Sequence, residues 1–359
     1  MYVVFPMMGL TRSGGVRVVS MLANGLVARG HRARLLIARP AEPGFPLDQR
    51  VEIQQARARR SVLEELWWLA RSIPREADAV VANYYLTAYP TALATGMRRA
   101  KGYYFVQGYE PAFFRPGSSR RAPSAQRVLA RCSYRLPLRL ITISTWLQSL
   151  LRSETGRDAV VIHDGVDAQA FTPPSDAPQR EGAPTLLFVG TSDPGKGLQL
   201  LLRAVEILAN QVPGLRLLVA TQDRQIDATG PVPIEVVHPG DDRELVECYR
   251  RADVFVFASR QEGFGLPPLE AMACGTPVVT TDCGGNSDYA QDGANCLVVP
   301  VGDAKAMAMA IHRILVDASL ALRLAEAGRI TACRFTWDAM ADRFERLLAG
   351  TGRSSEARS

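Results

Sequence analysis

Short apolar runs alternate along the chain with longer segments in which apolar residues recur at helical spacing. In the first half the runs predict strands at residues 2–5, 32–37, 79–81, 103–106, 140–143 and 160–162, with helices between them and the first helix over residues 16–29. The pattern then restarts and predicts strands at residues 185–189, 215–220, 254–257 and 277–280, with a helix over residues 198–209. Regular alternation of strand and helix indicates parallel sheets with helices on both faces.

A proline-rich polar stretch at residues 171–178 separates the two halves. Because 359 residues exceed one ordinary core, we expect an α/β protein with two doubly wound, Rossmann-like domains. The predicted division is a first domain over residues 1–170, a linker over 171–184, a second domain over 185–335, an amphipathic helix over 336–350 that returns to the first domain, and a disordered tail over 351–359. We expect the domains to face each other across a cleft, because open sheets of this kind bind ligands at the carboxyl ends of their strands.

The composition, with 47% apolar and 22% charged residues, is ordinary for a globular protein. The sequence contains no run of 18 or more apolar residues, so no membrane-spanning helix is expected. The first residues lack the basic flank of a signal peptide. Six cysteines are scattered without a C-x-x-C pair, which argues against a zinc site and against a disulfide scaffold. We therefore expect a cytoplasmic protein in a reducing compartment.

Positive charge is concentrated in the first half. Residues 1–174 carry 24 Arg and Lys against 12 Asp and Glu, a net charge of +12, whereas residues 175–359 carry 18 against 24, a net charge of −6. A basic half suggests an anionic partner, such as a lipid diphosphate or the inner face of the cell membrane, which the protein would contact peripherally. The alternative is that Arg is simply abundant, since the chain has only three lysines. Nucleic acid is not expected as a partner, because the charge is not accompanied by interleaved aromatic residues or a known binding motif.

Residues 259–270 carry the clearest chemical pattern. A polar loop follows an apolar strand, and Gly263 and Gly265 allow its backbone to come close to a ligand. Two prolines suit the first turn of the helix that follows, and the start of a helix favours phosphate oxygens. Glu262 and Glu270 flank this position, and carboxylates accept hydrogen bonds from sugar hydroxyls. The pattern favours a nucleotide-sugar site, with an ordinary strand-to-helix turn as the alternative.

Glu262 and Glu270 form an E-x7-E pattern that resembles the motif of retaining glycosyltransferases of family 4, which have the GT-B fold. The resemblance continues through residues 271–279 and covers most of the chain. It implies that Glu270 hydrogen-bonds the donor ribose, that Glu262 contacts the donor sugar, and that neither a metal nor another cofactor is bound. The backbone donors to the sugar and diphosphate would be Gly263, Phe264 and Gly265.

Lys196 follows a predicted strand and matches the family lysine that neutralises the donor diphosphate. A cation at that point would stabilise charge on the leaving group, although an exposed turn lysine is the alternative. Thr191 departs from the family, which usually has an Arg there that also binds the diphosphate. Lys196 would then hold the charge alone, or Arg12 or Arg260 would substitute for the missing guanidinium.

Gly14 and Gly15 resemble the glycine loop of the family that closes over the donor phosphate from the first domain. Gln107 stands where many members have a His that touches the 6-hydroxyl of the donor sugar. We count Gln107 with Glu262 and Lys196 as a catalytic candidate, although a Gln cannot transfer a proton. In retaining enzymes of this fold the donor phosphate is thought to take the acceptor proton, so no protein nucleophile is required. One hypothesis is a 6-deoxy donor sugar such as rhamnose, because the surrounding sequence resembles that of rhamnosyltransferases.

Tyr84, Tyr109 and Glu110 follow first-domain strands and are predicted to line the acceptor side. Glu110 would orient an acceptor hydroxyl, or it would cap a packed loop. The resemblance implies transfer of a sugar from a nucleoside-diphosphate donor to a glycan or lipid-linked acceptor, with retention of configuration, in polysaccharide or glycolipid synthesis. The alternatives are another GT-B activity, such as a phosphorylase, and a degenerate subunit that binds the nucleotide-sugar without turnover. The alternative of a degenerate subunit stays open because Thr191 and Gln107 depart from the family pattern.

Overall fold

The computed structural model describes residues 1–39, 44–57, 61–96, 100–114, 124–174, 182–226 and 228–350. Contacts divide the chain into two compact units, one of residues 1–165 with the residues from Trp337 onward, and one of Val166–Thr336. Half of the predicted linker and the whole predicted tail lie outside the described residues, so the disorder of the tail stays a prediction.

The first unit is built on a parallel sheet. The strands found among its described residues are β1 (Tyr2–Met7), β2 (Arg32–Ile37), β3 (Glu52–Gln55), β4 (Ala79–Ala82), β5 (Lys101–Val106), β6 (Arg139–Thr142) and β7 (Ala159–Val161). Their order is β3-β2-β1-β4-β5-β6-β7. The inner strands β1 and β4 are buried along their whole length, as expected when helices cover both faces. The order reverses between β1 and β4, and this is where sheets of this type open a crevice at the carboxyl ends of the strands.

Helices connect these strands. They are α1 (Gly14–Ala28), α2 (Val62–Ser72), α3 (Tyr85–Gly96), α4 (Ser124–Ser133) and α5 (Thr145–Thr155), with a short 3-10 helix over Glu110–Phe114. The hydroxyl of Ser61 accepts the Glu64 N–H at the start of α2, and that of Ser144 accepts the Leu147 N–H at the start of α5. These serines stabilise the helix starts because the first amides of a helix have no partner within it.

The second unit repeats the architecture. Its described strands are β8 (Thr185–Val189), β9 (Arg216–Ala220), β10 (Ile234–Val237), β11 (Val254–Phe257), β12 (Val278–Thr281) and β13 (Leu297–Val299), in the order β10-β9-β8-β11-β12-β13. Its described helices are α6 (Leu198–Leu208), α7 (Asp242–Arg251), α8 (Leu266–Ala273), α9 (Ala304–Val316) and α10 (Ala318–Ala332). All strand pairs are parallel. The chain therefore contains two Rossmann-like units, as the alternation of strands and helices predicts.

The last described helix, α11 (Trp337–Ala349), packs on α1 of the first unit. Gly25 of α1 allows this approach, because a Cβ there would lie only 2.6 Å from the Cβ of Ala341. Phe344 is fully buried and meets Phe105 of β5 edge-on, at 6.3 Å between ring centres. Arg29 donates to the carbonyl oxygen of Asp338 at 2.9 Å. None of the described helices is both long and apolar enough to cross a bilayer.

The first unit ends at Gly165, five residues before the predicted domain end at residue 170. Val166 N–H donates to the Phe335 carbonyl oxygen at 2.9 Å, which ties the chain to the second unit directly after Gly165. The following residues stay there, since Phe171 is buried against Tyr249 and the Arg250 guanidinium donates to Thr172. The first unit therefore ends before the proline-rich stretch begins.

Three strands are not predicted from the sequence, namely β3, β10 and β13. The strands β3 and β10 lie at sheet edges, where only one neighbour is needed, and their sequences mix polar with apolar residues. The edge strand β13 has only three residues. Helix α8 begins at Leu266, so the two prolines lie in its first turn as predicted.

Candidate functional site

In the second unit, the candidate residues lie in loops that leave neighbouring strands. The strands β8 and β11 pair with each other, so the loops that follow them emerge side by side at one edge of the sheet. Arg260 N–H donates to the Gly195 carbonyl oxygen at 2.8 Å and joins the two loops. Gly197 has a φ of +79°, and a Cβ there would lie 2.0 Å from the carbonyl oxygen of Ala258. Only glycine fits this close crossing of two backbones.

A third loop, after β12, joins the same edge. The Glu262 N–H donates to the Cys283 carbonyl oxygen at 2.8 Å, and the Gly285 N–H donates to the Glu262 carbonyl oxygen at 3.0 Å. A Cβ on Gly285 would lie 1.9 Å from the carbonyl oxygen of Gly263. The backbone at Glu262 and Gly263 is therefore held against the loop that follows β12.

Lys196 and Glu262 meet at this edge. The Lys196 Nζ lies 2.8 Å from Glu262 Oε1, with side-chain exposures of 39% and 18%. An ammonium has three N–H donors, so this contact leaves donors of Lys196 for oxygens of an anionic ligand. The two residues that the sequence analysis assigned to the diphosphate and the donor sugar are thus direct neighbours.

The start of α8 is shaped by Gly265, which has a φ of +86°. The hydroxyl of Tyr289 donates to the Gly265 carbonyl oxygen at 2.5 Å. Phe264 is 2% exposed, and its ring packs against those of Tyr289 and Phe335. The side chain of Phe264 therefore fixes the loop to the core, and a contact from this residue to a ligand would have to come from its backbone. Prolines at 267 and 268 have no N–H, so any amide donor at this helix start precedes them.

Glu270 is 3% exposed, and the hydroxyl of Tyr249 donates to its Oε2 at 2.8 Å. The family resemblance assigns this carboxylate to the donor ribose. The hydrogen bond from Tyr249 is not indicated by any local sequence pattern. Tyr249 lies on α7, so only the folded chain brings it to Glu270.

Cys283 contributes a thiol beside Glu262. Burial and the nearby Glu262 carboxylate raise the pKa of Cys283 to about 12. A thiol with this pKa stays protonated at neutral pH and is a poor nucleophile.

Thr191, the departure from the family arginine, is half-buried at the end of β8. Its hydroxyl accepts the Asp193 N–H at 3.3 Å, and the Asp193 carboxylate in turn accepts the Gly195 N–H at 2.7 Å. Thr191 thus shapes the loop that carries Lys196. Of the two arginines considered as substitutes, Arg260 is exposed in the adjoining loop of the same unit, whereas Arg12 belongs to the first unit.

In the first unit, the structure brings Gln107 and Gly15 together. The Gln107 side-chain amide donates to the Gly15 carbonyl oxygen at 3.1 Å, across 92 residues of sequence. A Cβ on Gly15 would lie 3.1 Å from Gln107 Oε1, so the glycine leaves room for this amide. Gly14 is exposed at the first position of α1, and a Cβ there would meet no heavy atom of the described residues within 4 Å. The three residues lie at the carboxyl ends of β1 and β5.

Glu110 is buried, which favours a capping glutamate in a packed loop over a carboxylate that orients an acceptor hydroxyl. Its carboxylate accepts the Tyr85 N–H at 3.0 Å at the start of α3, and the hydroxyl of Tyr104 donates to it. Tyr134 Oη lies 3.4 Å from the same carboxylate. Burial raises the pKa of Glu110 to about 7, against the lowering effect of these hydrogen bonds. The alternative of a capping glutamate in a packed loop describes its surroundings.

The two tyrosines predicted on the acceptor side differ in exposure. Tyr109 is 4% exposed, and its hydroxyl donates to Glu154 at 3.0 Å. Tyr84 is half-buried directly after β4, with its ring 4.5 Å from that of Tyr85. Tyr84 is therefore the one of these two side chains with surface available to a ligand.

Each of the two units matches a known protein family. Residues 174–331 match the family described as "Glycosyl transferases group 1", and residues 13–165 match the "Glycosyl transferase 4-like domain". The matches cover the E-x7-E segment with Lys196 in one unit, and Gly14 with Gln107 in the other.

Curated relatives match over part of their length. The D-inositol 3-phosphate glycosyltransferase of Xylanimonas cellulosilytica is 36% identical over 202 residues, which are 50% of this chain and 48% of the relative. The enzyme of the same name from Mycolicibacterium smegmatis is 36% identical over 213 residues, 54% of this chain and 47% of the relative. The chain thus spans about half the length of the curated relatives it matches.

Solved structures share the fold over nearly the whole chain. Sucrose-phosphate synthase from Thermosynechococcus elongatus superposes with a TM-score of 0.83 at 21% identity, covering 98% of this chain and 99% of that structure. HepE from Anabaena in complex with UDP-glucose superposes with a TM-score of 0.77 at 17% identity, covering 98% and 100%. At such identities the likeness shows the fold alone, which is that of the GT-B glycosyltransferases.

Proposed function

We propose that the chain transfers a sugar from a nucleoside-diphosphate donor to an acceptor hydroxyl. Its second unit matches the group 1 glycosyltransferases and its first unit matches a glycosyltransferase 4-like domain. The observation that carries this proposal is the contact between Lys196 and Glu262, whose two loops are joined by a backbone hydrogen bond. A cation next to a carboxylate suits a donor in which a diphosphate adjoins a sugar. Lys196 would stabilise the charge that develops on the leaving diphosphate, and Glu262 would accept hydrogen bonds from the sugar.

We propose that the transfer retains the anomeric configuration. The resemblance to retaining enzymes supports this, and the groups near Glu262 bear on whether a covalent intermediate on the protein is involved. The Cys283 thiol is protonated, and the Glu262 carboxylate is already paired with Lys196, so neither is set up as a nucleophile. Departure of the diphosphate and attack by the acceptor on the same face requires neither of them. Anomeric analysis of the product by NMR tests this step, and an inverted product would refute it.

The donor is proposed to be a nucleotide-sugar of the kind bound by HepE from Anabaena, whose solved complexes contain UDP-glucose. A second candidate is a 6-deoxy sugar donor, favoured by Gln107 in place of the family His. The Gln107 amide is engaged with Gly15, which leaves one of its two N–H donors for a sugar. Turnover of UDP-glucose or GDP-mannose without turnover of dTDP-rhamnose would rule out the 6-deoxy candidate.

The acceptor is proposed to be a glycan or a lipid-linked sugar in polysaccharide or glycolipid synthesis. The net charge of +12 over residues 1–174 supports an anionic acceptor or an anionic membrane surface nearby. The relatives named for D-inositol 3-phosphate align over only about half of each chain, so inositol phosphate belongs in the acceptor panel as one anionic candidate.

Nucleotide-sugar binding is tested first by thermal unfolding with UDP-, GDP- and dTDP-sugars, because a ligand of the folded state raises its stability by RT ln(1 + [L]/Kd). The Lys196→Met variant should lose the shift that the matched Lys305→Met variant keeps, since Lys305 is exposed on α9 of the same unit. Nucleotide release on adding acceptors then tests turnover. Binding without release over a broad acceptor panel would favour the degenerate subunit instead.

We further propose that the reaction needs no resident metal and takes place in the cytoplasm. All six cysteines lie among the described residues and none is disulfide-bonded, which supports a reducing compartment. Turnover that survives EDTA supports the first point, and turnover restored only by a divalent ion would contradict it.

A further inference from the structure

Exposed apolar side chains of the first unit are concentrated on three helices. Leu63 is 79% exposed and Trp67 57% exposed, one turn apart on α2. The other large apolar residues exposed on these helices are Val62, Leu93, Val128 and Leu129. Elsewhere in the described part of this unit only Ile53, on the edge strand β3, is a large exposed hydrophobic residue. We call the outer surface of α2, α3 and α4 the α2–α4 face.

The three helices form one continuous layer. Helix α3 packs against α2 on one side and α4 on the other. The Tyr89 hydroxyl of α3 donates to the Leu129 carbonyl oxygen of α4 at 2.7 Å. The strands that these helices connect run in one direction across the sheet, from β3 through β4 and β5 to β6. Right-handed crossovers in one direction place their helices on one face, so the exposed apolar residues share a side of the unit.

The charge on this face is mainly positive. Arg71 and Arg131 are exposed, Arg127 is half-buried, and α3 has no charged residue. Glu65 is buried and paired with Arg39, which leaves Glu64 as the exposed carboxylate in the described part of these helices. The face therefore combines apolar side chains with an excess of arginine.

Trp67 and Arg71 contact each other on the surface of α2. The Arg71 guanidinium carbon lies 5.3 Å from the centre of the Trp67 ring, within cation–π range. An open depression of about 650 Å³ is lined by Arg71 and Arg75, with Glu76 as its one carboxylate, and also by Arg34, which is paired with Glu52. Guanidinium groups of this kind bind phosphate oxygens in pairs of hydrogen bonds.

We propose that the α2–α4 face is the site at which the protein docks onto the surface of an anionic lipid bilayer. Leu63 and Trp67 enter the interface between headgroups and acyl chains, where tryptophan is favoured, and the arginines contact lipid phosphates. Each basic residue near such a surface adds to the attraction. A second copy of the chain fits less well, because a two-fold pair would bring the same arginines face to face. This inference deepens the membrane contact proposed above and holds whichever sugar is transferred.

Flotation of the full chain with lipid vesicles, without nucleotide-sugar or acceptor, tests the proposal. We expect binding to vesicles of phosphatidylcholine with phosphatidylglycerol, little binding to phosphatidylcholine alone, and weaker binding as salt rises. The Leu63→Gln/Trp67→Gln double variant should bind at least about tenfold more weakly, ~1.4 kcal/mol. The matched control is Leu322→Gln, because Leu322 is 71% exposed on α10 of the second unit.

Three outcomes would overturn the proposal. They are equal binding to neutral and anionic vesicles, an unchanged affinity of the double variant, and an equal loss in the Leu322→Gln control. A dimer in light scattering that the double variant dissolves would also overturn it, in favour of self-association. Donor-induced thermal shifts, measured on the same variants without lipid, report on the proposed sugar transfer separately, so failure of one proposal is distinguishable from failure of the other.

Discussion

Lys196 is expected to contribute little to the stability of the fold and much to the rate of the proposed reaction. The pair with Glu262 is partly exposed, and ion pairs of this kind add only about 0–1 kcal/mol to stability. The same ammonium placed beside a developing diphosphate charge has a much larger effect, because it acts on the transition state.

We therefore expect Lys196→Met to change the free energy of unfolding by less than about 1 kcal/mol and to lower kcat/KM by roughly 100-fold or more. Lys305→Met, on exposed α9, serves as the control for loss of one positive charge. Denaturant titration and nucleotide-release kinetics measure the two effects. A loss of stability that matches the loss of activity would mean that Lys196 acts by holding the fold.

Glu110 predicts a pH dependence. Its pKa is raised from 4.5 to about 7 by burial, so the folded state favours the neutral carboxyl. The unfolded chain releases this proton first, and the stabilising contribution, complete below pH about 4.5, is lost as the pH rises to about 7. Glu110→Gln keeps an acceptor for the Tyr85 N–H without a charge. Its stability relative to the wild type should rise across this window by up to roughly 3 kcal/mol and then stay level.

Thermal unfolding from pH 4 to 9 measures the difference. Glu326→Gln, at an exposed position of α10, is the control for a carboxyl-to-amide change. A Glu110→Gln curve parallel to that of the wild type would show that the carboxyl titrates normally in the folded protein.

At the scale of elements, the three loops of the second unit depend on places where two backbones nearly touch. A methyl group on Gly285 would lie 1.9 Å from the Gly263 carbonyl oxygen, a clash with backbone that no rotamer relieves. We expect Gly285→Ala to cost about 3 kcal/mol or more and to abolish donor-induced stabilisation. In Gly240→Ala, the nearest heavy atom belongs to the flexible side chain of Glu244 at 3.5 Å, so this control should stay near wild type. Thermal unfolding with and without donor distinguishes the two variants.

The inner elements could be predicted from sequence because burial on both faces makes a strand continuously apolar, as in β1, β4 and β11. The edge strands β3 and β10 could not, since one side faces solvent and their residues mix polar with apolar types. For the candidate site, the glycines and glutamates of residues 262–270 are a local pattern and were found. The Tyr249 contact to Glu270 and the burial of Glu110 depend on residues distant in sequence, which spacing cannot reveal.

At the scale of the whole molecule, the first unit is discontinuous in sequence, because α11 completes it after the second unit has intervened. Phe344 is fully buried in this packing, and Phe344→Ala should destabilise the first unit by about 3–5 kcal/mol. Hydrogen exchange should show lost protection in α1 and unchanged protection in α6. The converse variant is Phe188→Ala, a 1% exposed core residue of the second unit. Equal loss of protection in both helices after either change would show that the units unfold together.

The position of α11 in the sequence also delays completion of the first unit during translation. Arg29, directly after α1, and its partner Asp338 on α11 are 309 residues apart. At roughly 5–20 residues per second, a ribosome needs roughly 15–60 s to translate from one to the other. Through that interval the surface of α1 that α11 covers stays uncovered on the nascent chain, and the whole second unit is translated before α11. The first unit is thus begun before the second and finished after it, so its α1 surface can be covered only after the second unit has been translated.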